Sequence, residues 1–167
     1  RNYYYRDKSV GQVLEGVQVK IEDDEILVKG DIVFSGYYQD SIETKQAFQN
    51  GWFKTGDMGY LDNDGFLYIT GRKKYIIVLS NGKNISPEEL ENYFYELDYI
   101  KEALVYQKDD IIEAEVYFEE NKDVYKSQME QDLLTINSLL PAYKNIKKVN
   151  IREIEFPKTS TNKIKRG

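Results

Sequence analysis

Residues Gly51–Glu91, GWFKTGDMGYLDNDGFLYITGRKKYIIVLSNGKNISPEELE, decide how the chain is read. A turned Thr55-Gly56-Asp57, a hairpin about Asp62–Gly65, the corner Gly71-Arg72-Lys73-Lys74, a second hairpin and a capped helix follow one another with little spacer. Asp57 follows a glycine, so its carboxylate can leave the backbone and accept hydrogen bonds from paired hydroxyls, as a ribose presents them. Arg72, after Gly71, can offer its planar fork to the same hydroxyls or to phosphate. Singly, each has a plainer reading: Asp57 caps a turn and Arg72 pairs with it at the surface.

Upstream, Val17, Val19 and Ile21 alternate, and Asp23-Asp24 turns the chain into Glu25–Lys29 with Ile26 and Val28 inward, a hairpin pattern. Gly30, Gly36 and Tyr37-Tyr38 suggest a further short, bent strand. Asp40 with Glu43 forms a capping-box pattern that opens a short helix ending near Asn50-Gly51. Gly59–Leu61 and Phe66–Ile69 flank the next turn. These short antiparallel strands predict a barrel-like β subdomain.

After the Gly-Arg-Lys-Lys corner the texture changes. Tyr75–Leu79 and Lys83–Ile85 flank Asn81-Gly82, a type I′ turn signal. Ser86 precedes Pro87 at the first helical position, with Glu89 closing a capping box. Leu90, Tyr93, Phe94 and Leu97 mark that helix's apolar face. Strands are predicted over Glu102–Gln107 and Ile111–Phe118, with Ile112, Ala114, Val116 and Phe118 inward. A helix over about Asp123–Leu139 carries Tyr125, Met129, Leu133, Ile136 and Leu140 at core spacing, and Lys147–Phe156 supplies a last strand. The fold expected is α+β: a small antiparallel β-barrel-like subdomain over 1–73, then over 74–167 an α+β domain made of a hairpin and a three-stranded sheet with packed helices.

Composition narrows the chemistry. The chain has 167 residues and a net charge of −6 with both signs mixed, which argues against a nucleic-acid or membrane-surface binder. It contains no cysteine and no histidine, so catalysis has to use Lys, Arg or carboxylates, no metal site is expected, and a cytoplasmic location is the default. No apolar run approaches the length of a membrane span. The fifteen tyrosines suit amphipathic packing at the core edge better than base stacking. The charged stretch Glu119–Lys126 reads as a solvated loop and helix start. The chain opens on RNYYYRDKSVG without an initiator methionine, which reads as a start within a longer protein.

Three blocks in order, KTGD, YITGRKK with NGKNISPEELE, and FPKTSTNKIKRG, resemble the adenylate-forming superfamily of acyl-CoA synthetases, peptide-synthetase adenylation domains and luciferases. The likeness covers essentially the whole chain and is greatest to the long-chain fatty-acyl-CoA synthetases. It implies that 1–73 is the last subdomain of a large AMP-binding domain and 74–167 the mobile C-terminal domain. The implied reaction adenylates a carboxylate with ATP and transfers the acyl group to CoA, the fatty acid, ATP and CoA being small-molecule partners. The Mg²⁺ ligands, phosphate loop and acyl pocket would all lie upstream, so this chain alone is expected to be inactive. The full-length enzyme could also lie peripherally at a membrane.

Carried over residue by residue, the resemblance makes Lys163 the adenylation lysine, places Asp57 and Arg72 on the ribose hydroxyls and packs Ile69 near the nucleotide. It makes Lys74 the hinge, and Gly82, Lys83 and Asn84 a loop lining the pantetheine tunnel. One departure stands out: the family's glycine before the lysine is Asn162 here, a residue that still tolerates positive φ. Other readings are an aryl-CoA ligase, a peptide-synthetase adenylation domain, or a non-catalytic interaction module that keeps the motifs by descent.

Overall fold

The computed structural model describes residues 5–119 and 122–166. The first residues of the RNYYYRDKSVG opening and part of the charged stretch Glu119–Lys126 lie outside them. The chain forms two compact units that part between Tyr75 and Ile76.

The first unit holds β1 (Gly11–Gln12), β2 (Val17–Glu22), β3 (Glu25–Gly30), α1 (Ser41–Ala47), β4 (Phe48–Gln49), β5 (Trp52–Leu61) and β6 (Phe66–Arg72). They make one sheet in the order β1-β6-β5-β3-β2, with β4 also pairing β5. That order is an open path ending on β1 and β2, so the expected barrel does not close. The β2–β3 hairpin forms where the alternation predicts it, with Asp23 and Asp24 both left-handed at φ 50° and 61°. Ile26 is buried as expected, but Leu27 is buried too and Val28 only partly. The reason is register: the pairing of β3 with β5 shifts between Glu25 and Leu27, and simple alternation does not carry across such a bulge.

Two expectations fail between Gly30 and Gly51. Tyr37-Tyr38 makes no strand, only an isolated bridge from Tyr37 to Asp40. The helix opens as predicted, with the Asp40 carboxylate accepting the Glu43 N–H at 2.8 Å. It stops at Ala47, however, because Phe48 and Gln49 turn extended and pair with Phe53 and Trp52. Asn50 (φ 51°) and Gly51 (φ 78°) are therefore the two left-handed residues of a tight hairpin, not a helix cap. The turn gathers Phe34, Tyr37, Phe48 and Phe53, with Phe34 edge-on to Phe53 at 5.1 Å between ring centres.

The second unit contains β7 (Ile77–Val78), β8 (Asn84–Ile85), α2 (Pro87–Tyr95), β9 (Glu102–Lys108), β10 (Ile111–Tyr117), α3 (Lys122–Leu139) and β11 (Ile146–Ile151). β9, β10 and β11 form a three-stranded sheet with β10 central, antiparallel to β9 and parallel to β11. Ile112, Ala114, Val116 and Phe118 are buried, as their alternation predicts, against Leu90 and Phe94 of α2 and Met129 and Ile136 of α3. Tyr93 and Leu97 on one side and Tyr125 and Leu133 on the other close the edges of this core, and Tyr99 stacks on Tyr125 at 4.4 Å.

The second Asn-Gly pair also departs from expectation. Only Gly82 is left-handed (φ 78°), and the turn closes through Gly82 N–H to Leu79 O at 2.8 Å. This is a longer loop than a type I′ turn, and it leaves β7 and β8 two residues each. Ser86 and Pro87 begin α2 as predicted; the Ser86 side chain makes no cap hydrogen bond to the helix, and the Glu89 carboxylate accepts Lys144 Nζ at 2.7 Å.

Candidate functional site

In the first unit the site starts from a bulge. Leu27 pairs with Lys54 and Glu25 with Met58, so one residue of β3, Ile26, faces three of β5: Thr55, Gly56 and Asp57. The Thr-Gly-Asp motif is thus not a loop turn but a kink inside the longest strand of the sheet. Gly56 takes φ 70° there, which explains a glycine at that place. The Thr55 hydroxyl donates to Ile26 O at 2.8 Å and accepts the Asp57 N–H at 3.0 Å. The Glu25 carboxylate, only 5% exposed, accepts the Gly56 N–H at 3.1 Å and pairs with Lys73 at 2.7 Å. Glu25 was not anticipated from sequence. A single acidic residue at a hairpin mouth carries no motif, and its role exists only because β3 lies beside the kink.

Released from the β3 ladder, Asp57 sits directly across from Arg72 of β6. Arg72 Nε meets Asp57 Oδ1 at 2.8 Å, and its Nη1 donates to Thr55 O at 3.4 Å. A second irregularity, with Met58 opposite Gly71 and Gly59 opposite Ile69, leaves Thr70 as the extra residue of β6. The structure therefore brings Asp57 and Arg72 together as one partly exposed pair. Thr55, Gly56, Arg72, Lys73 and Lys74 line an open depression of about 430 Å³. Ile69 lies on the same strand and is half exposed. Lys74 stands in the 3₁₀ turn Lys73–Tyr75, its Nζ 4.7 Å from the Tyr75 ring centre, immediately before the boundary between the units.

Gly82, Lys83 and Asn84 belong to the second unit. The Asn81 side chain accepts the Lys83 N–H at 3.0 Å, and Lys83 Nζ sits 3.8 Å from the centre of the Tyr143 ring, a close cation–π contact. Asn84 is exposed in β8 opposite Val78. A shallow depression of about 210 Å³ lies beside this loop, lined by Leu79, Ser80, Asn81, Tyr143 and Asn145 among others. The Asn145 Oδ1 is buried without a hydrogen-bond partner among the described residues.

Lys163 is exposed on a small hairpin in which Lys158 bridges Ile164. Thr159 N–H donates to Lys163 O at 2.8 Å, and Asn162 N–H to Thr159 O at 3.0 Å. Asn162 takes φ 60°, so the turn that a glycine would make is made by asparagine. Beyond it, Arg166 pairs with Glu91 of α2. Glu91 is 5% exposed, and burial raises its pKa above the ordinary carboxylate value against the pull of Arg166 and of the Val105 N–H, which donates to it at 2.7 Å. Glu102, also buried, holds Lys158 at 2.6 Å and accepts the Phe156 N–H at 2.7 Å. Neither buried glutamate was singled out from sequence. Glu91 follows the helical apolar pattern by one residue, and Glu102 opens a strand like any surface residue.

Among the described residues no group of three or more carboxylates is arranged to hold a metal ion. None of the described helices is long and apolar enough to cross a membrane.

No family model matches the chain. It is 50% identical over 98 residues to a long-chain-fatty-acid–CoA ligase of Mycobacterium tuberculosis, which covers 58% of this chain and 16% of that protein. It is 39% identical over 165 residues to the 2-succinylbenzoate–CoA ligase of Listeria monocytogenes, covering 95% of this chain and 34% of that one. Its structure matches o-succinylbenzoate CoA synthetase of Bacillus subtilis in complex with its acyl-adenylate intermediate, with a TM-score of 0.81 at 31% identity over 94% of this chain and 34% of the other. The chain thus spans about a third or less of the length of these relatives.

Proposed function

From the premise that its homologues and structural neighbours are acyl- and aryl-CoA ligases of the adenylate-forming superfamily, we propose that this chain is the C-terminal part of an ATP-dependent, AMP-forming acid–thiol ligase. The observation that carries the reading is the Asp57–Arg72 pair, lifted from the β3 ladder by a bulge and held by Thr55. A carboxylate beside a guanidinium on a rigid sheet offers acceptors for two ribose hydroxyls and a cation toward phosphate. The first unit would then be the last subdomain of the AMP-binding domain and the second the mobile C-terminal domain, with Lys74 as hinge and Ile69 near the nucleotide.

In the first half-reaction the acid's carboxylate oxygen attacks the α-phosphorus of ATP and pyrophosphate leaves, while negative charge gathers on the non-bridging oxygens. Lys163, a compact charge on a flexible stem, is suited to meet that charge as it develops. In the second the CoA thiol attacks the acyl carbon and AMP departs; Gly82, Lys83 and Asn84 would line the thiol's approach, where Gly82 has open space in place of a side chain. The two steps need different groups at one place, which a domain turn about Lys74 supplies. Mg²⁺ is assigned to the remainder of the enzyme.

A long-chain fatty acid is the acid we favour, on the 50% identity to the mycobacterial ligase. An aryl acid is the second reading, favoured by the match to the 2-succinylbenzoate ligase over 95% of the chain. The deciding experiment uses the complete enzyme and its Lys163→Ala variant, with both acids offered. Pyrophosphate release should fall at least a hundredfold, while acyl-CoA formation from preformed acyl adenylate continues. Persistence of both half-reactions would overturn the assignment.

A further inference from the structure

Lys163 stands between two anchors. On its N-terminal side, buried Glu102 of β9 takes both the Phe156 N–H (2.7 Å) and Lys158 Nζ (2.6 Å), and Lys158 also meets Glu155 at 2.9 Å. On its C-terminal side, buried Glu91 of α2 takes Arg166, with Glu88 3.7 Å from the same guanidinium. Between the anchors the chain closes on itself: Lys163 N–H donates to the Thr159 hydroxyl at 3.2 Å and Lys165 N–H to Pro157 O at 2.8 Å. Phe156, 5% exposed, is the fully buried hydrophobic residue of this segment.

We propose that Glu102 and Glu91 are positioning residues, a two-point clamp that fixes the hairpin Lys158–Ile164 on the second unit and so sets where Lys163 is presented. The proposal rests on the reading of Lys163 as the adenylation lysine. It makes Lys163 a group carried rigidly by the unit that bears α2 and β9.

The case is electrostatic. A carboxylate is costly to bury, and a buried carboxylate stays charged only where a cation and hydrogen-bond donors meet it, so each glutamate constrains the groups that satisfy it. Two such carboxylates come from different elements and both are committed to the same short segment. A segment that needed only to be attached could be attached by apolar contacts, as Phe156 is. The hairpin itself is exposed from Thr159 to Lys163 and has no packing of its own to hold its direction.

The test has two arms, built on Glu102→Gln and Glu91→Gln, which keep shape and an acceptor oxygen but remove the charge. In the chain as it stands, hydrogen exchange of the Thr159, Asn162 and Lys165 amides should accelerate at least tenfold while those of Ala114 and Val116 in β10 do not change. In the complete enzyme, pyrophosphate release should fall about tenfold and thioester formation from preformed acyl adenylate should hold. Should a buried variant not fold, Lys158→Gln, made from the solvent side of the same pair, gives the same readouts. Unchanged exchange overturns the clamp. Faster exchange with full adenylation, or an equal fall in both half-reactions, overturns the positioning role. If Lys163→Ala itself leaves adenylation intact, the functional reading fails while the exchange arm still decides the clamp.

Discussion

The two units keep their shape by different means. The second encloses a continuous core, from Ile77 and Ile85 through Leu90, Phe94 and the strand residues to Met129, Ile136 and Ile146. The first buries Ile26, Leu27, Met58 and Phe66 fully, and leaves Val10, Leu14, Ile32, Tyr38 and Ile42 largely in solvent. Its candidate site is held within the sheet by a bulge, a cross-strand register, the Thr55 hydroxyl and the buried Glu25 carboxylate. In the second unit a packed core supports an exposed hairpin through buried charges. A sheet can aim a side chain by register alone, whereas a terminal segment beyond the last strand has no ladder to fix it and needs specific partners.

The largest expected effect tests the difference in packing. Phe94→Ala, at a site with no exposure, should cost about 3–5 kcal/mol. Phe34→Ala in the half-open aromatic cluster of the first unit, where the ring is 40% exposed, should cost about 1 kcal/mol. Urea unfolding followed by circular dichroism, with Trp52 fluorescence reporting on the first unit, measures both. Equal costs would erase the distinction.

Next in size is the charge anchor. Burial raises the Glu91 pKa foremost, so the folded chain holds that proton more tightly than the unfolded one. Its contribution to stability is complete below the ordinary value of 4.5 and is lost as pH rises through the folded value. Arg166 opposes the rise, while Glu88 adds to it. Arg166→Gln should therefore raise it further, costing about 3 kcal/mol near pH 7 and less near pH 4. A loss that is equal at both pH values would show that Arg166 acts by packing alone.

The smallest effect concerns Asn162. With φ at 60°, Asn162→Gly should change stability by a few tenths of a kcal/mol, and Asn162→Ala should cost about 1 kcal/mol. Equal behaviour of the two variants in thermal unfolding would mean that the left-handed turn is not what the residue supplies.

Much of the fold could be read directly. Alternation located β2 and β10, helical spacing located α2 and α3, and motif order pointed to Asp57, Arg72 and Lys163. The two Asn-Gly pairs show where such reading stops. Local pattern places Asn50-Gly51 at a helix end and Asn81-Gly82 in a tight hairpin, yet the tight hairpin is at Asn50-Gly51 and the longer loop at Asn81-Gly82. The dipeptide tolerates left-handed backbone in either place; which turn it makes depends on whether the flanking residues have a strand to pair with, as Phe48 has Phe53. The same limit hid Glu25, Glu91 and Glu102, since a carboxylate's spacing says nothing about which distant backbone N–H or cation will meet it.

By itself, the sequence determined most of the elements and their amphipathic faces, because these depend on neighbours within a few positions, while the candidate site residues came from the resemblance in motif order. Only the tertiary structure decided that Thr55–Asp57 bulges away from β3, that the first sheet stays open, and that buried carboxylates from α2 and β9 hold the segment carrying Lys163. Those outcomes depend on pairing and burial between residues far apart in the chain, where the cost of desolvating a charge or leaving an N–H unpaired is settled only once the partners have come together.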